Sequence, residues 1–333
     1  MHMRRAPSNE RLDASRGATR RAVAARTTAP KRGGVLVRLL PDKPTAAAGL
    51  ALLAAACLLL LRMPARRAQL RPRAPGPPTA GALPPGECAL DASWRPLPLA
   101  ARRYVSRDAV LLRFGLDAGE SLRLPTCACL LARAGGVVRP YTPVSTNALV
   151  GSFELLVKVY AGAGLSARLA ELPIGDTVDF SHVPKNVKVQ FPFGAAHLAM
   201  IAGGSGVTPM LQALHAVLGS PGDETAVTVL ASHKTREDAL AVEALDAWAD
   251  AHPRLTVVTT LTREPAGSAW AGRRGRVDAR LVSEYVAPPH ADVKVFVCGP
   301  PGMYEALAGP RDDPALAGLL RDLGYAADQV VKF

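Results

Sequence analysis

From Val138 to Ser145 the chain reads VRPYTPVS. Arginine offers a rigid fork of donors suited to phosphate. Tyrosine adds a flat face with a polar tip, and the threonine and serine hydroxyls add short hydrogen bonds. Pro140 and Pro143 fix their own φ and push the residues before them toward extended backbone, so Arg139, Tyr141, Thr142 and Ser145 are presented from a stiff segment. Such a set suits a flat, phosphorylated ligand such as a flavin nucleotide, and an ordinary edge strand would read the same way. Further on, GAGLS (Gly162 to Ser166) opens a helical pattern. Free backbone N–H groups near Ser166 could receive a phosphate there, or a glycine turn could simply begin a helix.

Two later stretches are also rich in glycine: AGGSGVTPM, from Ala202 to Met210, and VCGPPGM, from Val297 to Met303. Glycine lets a backbone approach a ligand closely, and Thr208 with Pro209 marks a helix start. Neither stretch is the G-x-G-x-x-G fingerprint. Cys298 reads either as a functional residue at a strand end or as a small buried apolar one.

The elements around these loops fall into two textures. Between residues 95 and 195, short β-type runs (YVSRDAVLLRFGL, GGVVRPYTPVS, SFELLVKVY, GDTVDFSHV and NVKVQFPFG) are separated by Gly, Pro, Asn and Asp. They predict a small antiparallel barrel over 94–196. From His197 onward, continuous apolar strands alternate with amphipathic helices, which predicts a parallel, doubly wound sheet over 197–333. In such sheets ligands bind at the carboxyl ends of the strands, where both glycine loops fall.

Charge is concentrated outside these two domains. Residues 1–73 hold sixteen Lys/Arg against three acids, while the rest of the chain holds 24 basic and 25 acidic residues. The excess is therefore no argument for a nucleic-acid surface, and no nucleic-acid partner is expected. Residues 1–45, poor in acids and rich in Arg, Ala, Ser and Thr, read as a mitochondrial targeting sequence or a basic tail. AAAGLALLAAACLLLL, Ala46 to Leu61, carries no charge and is followed by Arg62. As a helix, sixteen residues reach about 24 Å, enough for one membrane anchor over 46–62 with snorkelling arginine. Pro-, Ala- and Arg-rich sequence over 63–93 then reads as a linker. A single-pass membrane protein is expected, in a mitochondrial membrane or alternatively the endoplasmic reticulum.

Five scattered cysteines form no metal-binding spacing, so no metal site is expected. Cys127 and Cys129 are expected on one face of a strand, as core.

Taken in order, R-x-Y-T-x-x-S, a glycine loop ending in serine, G-G-x-G-x-T-P and a late C-G-P-P resemble the NADH-cytochrome b5 reductase family of flavoproteins, whose architecture is ferredoxin reductase-like. VKVY, PIGDTV and LGYAADQVVKF add to the likeness, which runs from about Arg95 to Phe333. The resemblance implies FAD and NADH as cofactors and cytochrome b5 or a similar haem protein as acceptor. It implies that Arg139 contacts the FAD pyrophosphate, with Pro140 in the same loop, that Tyr141 packs on the isoalloxazine, that Thr142 bonds near its reactive nitrogen and that Ser145 supports the loop. Val157 and Lys158 would line the flavin, with Lys158 also available to the dinucleotide. Gly164, Leu165 and Ser166 would offer donors to the pyrophosphate. Gly203, Gly204, Gly206, Thr208 and Pro209 would shape the meeting place of nicotinamide and flavin, Cys298, Gly299 and Pro300 its floor, and Phe333 would end the chain near the flavin. Thr142, Lys158 and Cys298 are the residues expected nearest the chemistry. A reductase feeding an iron–sulfur acceptor, or a non-catalytic anchored subunit, are the alternatives.

Three departures stand out. FSHVPKNVKVQF replaces a glycine-proline turn, the segment between VKVY and GAGLS is short, and Thr262 of TLTREP stands where relatives commonly carry an acid. The last removes a repulsion against a 2′-phosphate, while Lys234, Arg236, Arg263 or Arg273 could accompany one. The expectation is an NADH-preferring enzyme that tolerates NADPH.

Overall fold

The computed structural model describes residues 87–333 apart from Ala163. The leader, the apolar run and most of the linker lie outside the described residues. Among the described residues no helix is long and apolar enough to cross a membrane.

Six strands form an antiparallel sheet: β1 (Arg95–Ser106), β2 (Ala109–Gly115), β3 (Leu130–Ala134), β4 (Val137–Tyr141), β5 (Ser152–Lys158) and β6 (Thr177–Ser181). Their order is β4-β3-β6-β1-β2-β5. Alternation decides which side chains meet inside. Val110, Leu112 and Phe114 of β2 face Phe153, Leu155 and Val157 of β5, and a triad of rings, Phe114, Phe153 and Phe180, packs with centroids 4.7 to 5.8 Å apart. Ala109 and Leu156 point the other way and are buried against the second domain.

The sheet's outer strands, β4 and β5, are bridged by the loop that follows β4. Val144 N–H donates to the Glu154 carbonyl at 2.8 Å, and Glu154 N–H donates to Ser145 Oγ at 2.9 Å. The arginine- and tyrosine-bearing segment is thus the piece that draws the half-barrel together. A seven-residue helix, α1 (Leu165–Glu171), buries Leu165 and Leu169 beneath it.

Two local expectations fail here. The run NVKVQFPFG is not a strand: after a 3-10 turn at Pro184–Asn186 it runs irregularly, and the Gln190 side-chain amide in it is held by both the N–H and the carbonyl of Thr126. Cys127 and Cys129 do not share a strand face either. They precede β3, and Cys127 has φ +62°, which breaks the alternation; its thiol is buried and donates to Pro209 O at 3.3 Å.

The second domain is a six-stranded parallel sheet. It contains β7 (His197–Gly203), β8 (Ala226–His233), β9 (Leu255–Leu261), the two-residue β10 (Arg273–Arg274), β11 (Val293–Cys298) and β12 (Val330–Lys332), in the order β10-β9-β8-β7-β11-β12. Helices α2 (Val207–Gly219), α3 (Val242–Ala251), α4 (Ala279–Tyr285), α5 (Pro301–Leu307) and α6 (Gly318–Asp322) cover it. β7 and β11 are buried along nearly their whole lengths, as parallel strands covered on both faces must be. The chain leaves β7 toward β8 on one side, while β11 lies on the other, so the order reverses between these two strands. That reversal is the switch point at which such sheets bind ligands.

Candidate functional site

At the switch point Ala202 pairs with Cys298, which sets the two glycine loops side by side. Their glycines are required by contact. A Cβ on Gly206 would lie 2.1 Å from the Cys298 carbonyl oxygen, and one on Gly203 2.5 Å from Met303 Sδ. Gly204 instead takes φ +55°, a conformation that glycine adopts freely. Thr208 closes the turn by donating to Ser205 O at 3.1 Å, and α2 starts directly behind it.

These loops and the half-barrel enclose one cavity of about 1240 Å³. Arg139, Pro140, Tyr141, Thr142, Lys158, Gly164, Leu165 and Ser166 line it from the half-barrel. Gly203, Gly204, Gly206, Thr208, Pro209, Cys298, Gly299, Pro300 and Phe333 line it from the parallel sheet. Ser145 and Val157 stand apart. Ser145 is spent on Glu154, as described, and Val157 is buried inside the half-barrel because its strand neighbour Lys158 takes the outward position.

The side chains facing the cavity differ in how far they are committed. Arg139 is exposed, makes no ion pair among the described residues, and gives one N–H to its neighbour's carbonyl, Val138 O, at 2.7 Å. Tyr141 is half-buried, and burial pushes its phenol up to about 12, so it stays protonated. The Ser166 hydroxyl accepts from Tyr160 N–H at 3.2 Å. Lys158 is fully engaged: its ammonium sits 2.7 Å from Asp108 of the β1–β2 turn and 2.7 Å from Asp238 in the loop after β8. Burial would raise the Asp108 carboxyl, but the Lys158 hydrogen bond and charge outweigh it and hold the group below the usual carboxylate range.

On the sheet side, burial pushes the Cys298 thiol up against a smaller opposing hydrogen bond to Tyr304, so the sulfur is a neutral thiol. The Tyr304 hydroxyl also donates to Phe333 O. Phe333 N–H donates to Val297 O at 3.0 Å and its ring meets Phe296 edge-on at 5.2 Å, so the last residue is fastened to the sheet core.

Gln212 of α2 is a positioning residue that the sequence did not disclose. Its Nε2 donates to Pro143 O at 2.7 Å and Ser145 O at 2.6 Å, gripping the VRPYTPVS loop from the opposite domain. His233 also went unnoticed: it lines the cavity at the end of β8, is only 4% exposed, and both ring nitrogens lack a hydrogen-bond partner.

Residues 96–185 match the oxidoreductase FAD-binding domain and residues 200–308 the oxidoreductase NAD-binding domain. NADH-cytochrome b5 reductase 2 of Coccidioides immitis is 36% identical over 257 residues, which are 73% of this chain and 78% of that protein. The chain belongs to the NADH-cytochrome b5 reductase family. An NADH-cytochrome b5 reductase-like protein of Arabidopsis thaliana is 33% identical, covering 72% of this chain and 76% of its own. Among solved structures, the cytochrome b5 reductase domain of Ulva prolifera nitrate reductase superposes with a TM-score of 0.66 at 28% identity, covering 75% of this chain and all of that one. The protein is therefore an oxidoreductase that uses FAD and NADH.

The residues present fit that assignment. The cavity exceeds the roughly 300–1,000 Å³ of a single drug-sized ligand. Its half-barrel wall offers an uncommitted guanidinium beside a flat phenol, and its sheet wall offers glycine backbone at a switch point. A phosphorylated ring cofactor needs the first and a dinucleotide the second.

Proposed function

We propose that the protein is a membrane-anchored NADH-cytochrome b5 reductase. When bound, FAD supplies the conversion between a two-electron hydride from NADH and single electrons for a haem protein of the cytochrome b5 type. The observation that carries this reading is the meeting, across one cavity, of the Arg139–Thr142 segment with both switch-point glycine loops.

Arg139 holds the flavin pyrophosphate, Tyr141 and Pro140 bear on its ring, and Thr142 directs a hydroxyl toward it. Gly164, Leu165 and Ser166 border the same phosphate region. On the other wall the close-packed pair Gly206 and Cys298 sets how near a nicotinamide can come, since neither side contributes bulk there. Cys298, as a neutral thiol, acts as a small contact surface for that ring and not as a nucleophile. Lys158 is shared between two carboxylates, so an incoming dinucleotide phosphate must compete with Asp238 for its charge. The segment 46–62, with its apolar run from Ala46 to Leu61, serves as the anchor and the basic leader as a mitochondrial address.

Anaerobic addition of NADH to the purified yellow protein should bleach the flavin, and the reduced protein should then reduce cytochrome b5 faster than a ferredoxin. Bleaching followed by preference for the iron–sulfur carrier would replace the acceptor and keep the reductase; no bleaching at all would leave only a structural role. Cys298→Ala should slow flavin reduction by NADH more than it changes FAD retention, and stopped-flow reduction at the unmodified rate would remove Cys298 from the nicotinamide contact.

A further inference from the structure

Directly behind Cys298 the chain turns into α5, and the prolines of CGPPGM start that helix. Pro301 takes its first position, where a missing N–H costs nothing, and Pro300 O accepts from Met303 N–H at 2.9 Å and from Tyr304 N–H at 3.3 Å. Met303 Sδ fills the space between the two glycine loops, 2.5 Å from where a Cβ on Gly203 would stand and 2.6 Å from one on Gly299. Tyr304 comes next and is only 3% exposed. Its ring belongs to the apolar cluster that contains Ile201, Val297 and Leu307, and it also forms part of the cavity wall.

The tyrosine reaches past the strand ends. Its O–H donates to Phe333 O, and the Phe333 ring lies in the other apolar cluster, with Phe296. That acceptor is held without help from the tyrosine. β12 pairs with β11 as far as Val297 and Lys332, and Phe333 N–H donates to Val297 O at 3.0 Å. The Lys332 ammonium then donates to Ala308 O at 3.2 Å and to Pro310 O and Ala315 O at 2.9 Å each. A hydroxyl has one hydrogen and two lone pairs, whereas a carbonyl oxygen only accepts. The Tyr304 hydrogen is therefore spent on Phe333, and what its oxygen has left is the capacity to accept.

Cys298 is the group that uses it. The thiol and the phenol are hydrogen-bonded and line the same cavity, and burial pushes both groups up, so each keeps its proton near neutral pH. With the tyrosine hydrogen committed, the S–H has to be the donor, and the order runs from Cys298 Sγ–H to Tyr304 Oη–H to Phe333 O. A thiol has one hydrogen. Turned toward Tyr304, that hydrogen is turned away from the open cavity, and the sulfur presents lone pairs there.

The geometry points to Tyr304 as a positioning residue for hydride transfer, holding the Cys298 thiol in one orientation through a relay anchored on Phe333. The inference rests on the reading that Cys298 contacts the nicotinamide. An unheld thiol turns among staggered rotamers, some of which send its hydrogen into the gap beside Gly206. Reacting atoms must come within about 3–3.5 Å of each other, so a hydrogen projecting into that gap hinders approach. The relay adds no contact to the dinucleotide, and its effect belongs in the rate of the hydride step and not in affinity.

Stopped-flow reduction of the full, flavin-loaded chain by NADH, in Tyr304→Phe, Cys298→Ala and the double variant, tests the relay. Tyr304→Phe keeps the ring and removes only the hydroxyl. It should lower the limiting rate about three- to tenfold, the worth of one net hydrogen bond, with FAD content and half-saturating NADH within about twofold of the parent. Cys298→Ala should also be slow, and the double variant no slower than Cys298→Ala, because the hydroxyl then has no thiol to hold. The infrared S–H band that disappears in Cys298→Ala should lie at the lowered frequency of a bonded thiol in the parent and rise in Tyr304→Phe; its position in the parent needs no tyrosine variant. A parent-like rate in Tyr304→Phe, single effects that multiply in full, or an unbonded S–H band in the parent overturns the relay, while a slow Cys298→Ala keeps the nicotinamide contact. If Cys298→Ala retains FAD and is reduced at the parent rate, the contact itself falls and the relay's role in hydride transfer falls with it.

Discussion

On the half-barrel wall of the cavity, Arg139, Tyr141 and Thr142 project from a segment that contains no glycine, whereas on the sheet wall Gly203, Gly204, Gly206 and Gly299 bring backbone to the surface. The half-barrel wall is soft: Arg139 is exposed and uncommitted, and the loop's position depends on hydrogen bonds from Gln212 in the other domain. The sheet wall is hard, because its two loops already touch each other backbone to backbone. Adding atoms should therefore damage the sheet wall, and removing atoms should damage the half-barrel wall.

The largest effect is expected from Gly206→Ala. The backbone there has φ −62° and ψ −6°, open to any residue, so the objection is purely steric: a new Cβ meets Cys298 O at 2.1 Å. A loss of about 3 kcal/mol or more in urea unfolding is expected, because a carbonyl in a parallel strand cannot step aside as a side chain can. Gly164→Ala, on the half-barrel side, has nothing within 4 Å of the added carbon and φ −72°, and should cost less than about 1 kcal/mol. Equal losses at both positions would end the distinction between hard and soft walls.

Next comes Arg139→Ala, which removes a charge-assisted partner for phosphate and should weaken FAD retention by about 1.5 to 3 kcal/mol, roughly ten- to a hundredfold. Its fold stability should hardly move. Unchanged flavin content after dialysis would show that the loop is not the phosphate-binding wall.

Gln212→Ala should follow, at about 1 to 2 kcal/mol, since two carbonyls lose a shared donor. The diagnostic readout is a faster flavin off-rate with a normal absorption spectrum. Retention as tight as in the unmodified protein would mean that the loop holds itself.

Lys158→Met should be the mildest at neutral pH, about 1 kcal/mol, because the three groups are partly solvated. Its pH dependence is more telling. Asp108 is held below its usual range in the folded protein, so its contribution is present above the ordinary carboxylate pKa of about 4 and is lost as pH falls through the lower folded value. Without the lysine, burial is opposed only by the weaker hydrogen bonds of Ser106 and Asp238 to Asp108, so the acid-side loss of stability that this group gives the parent protein should shrink in the variant. Parallel stability–pH curves would remove Lys158 as the domain clasp.

Much of this architecture was legible in one dimension. The short alternating runs before residue 195 and the continuous apolar runs after it predicted a small antiparallel domain followed by a parallel one. The order of R-x-Y-T-x-x-S, the two glycine loops and C-G-P-P pointed to the family, and nearly every residue singled out faces the same cavity. The exceptions share a cause. Val157 turned inward because strand alternation allows only one of Val157 and Lys158 to face out, and composition does not say which. NVKVQFPFG has strand-like residues, but the side-chain amide of Gln190 within it is tied to the backbone of Thr126, sixty-four positions away.

Local composition, periodicity and turn chemistry were enough to determine the two domains and the segments that carry chemistry, because those properties act over a few residues at a time. Only the tertiary structure decided which charges are free. Lys158 and Arg139 look alike in sequence, yet one is neutralised by Asp108 and Asp238 and the other by nothing among the described residues. Arg273 and Arg276 are three positions apart, and one is paired with Glu284 while the other faces the cavity. A side chain's partner is set by which distant segments the sheet order brings together, and electrostatic commitment falls off within a few ångströms, so no spacing along the chain could have distinguished them.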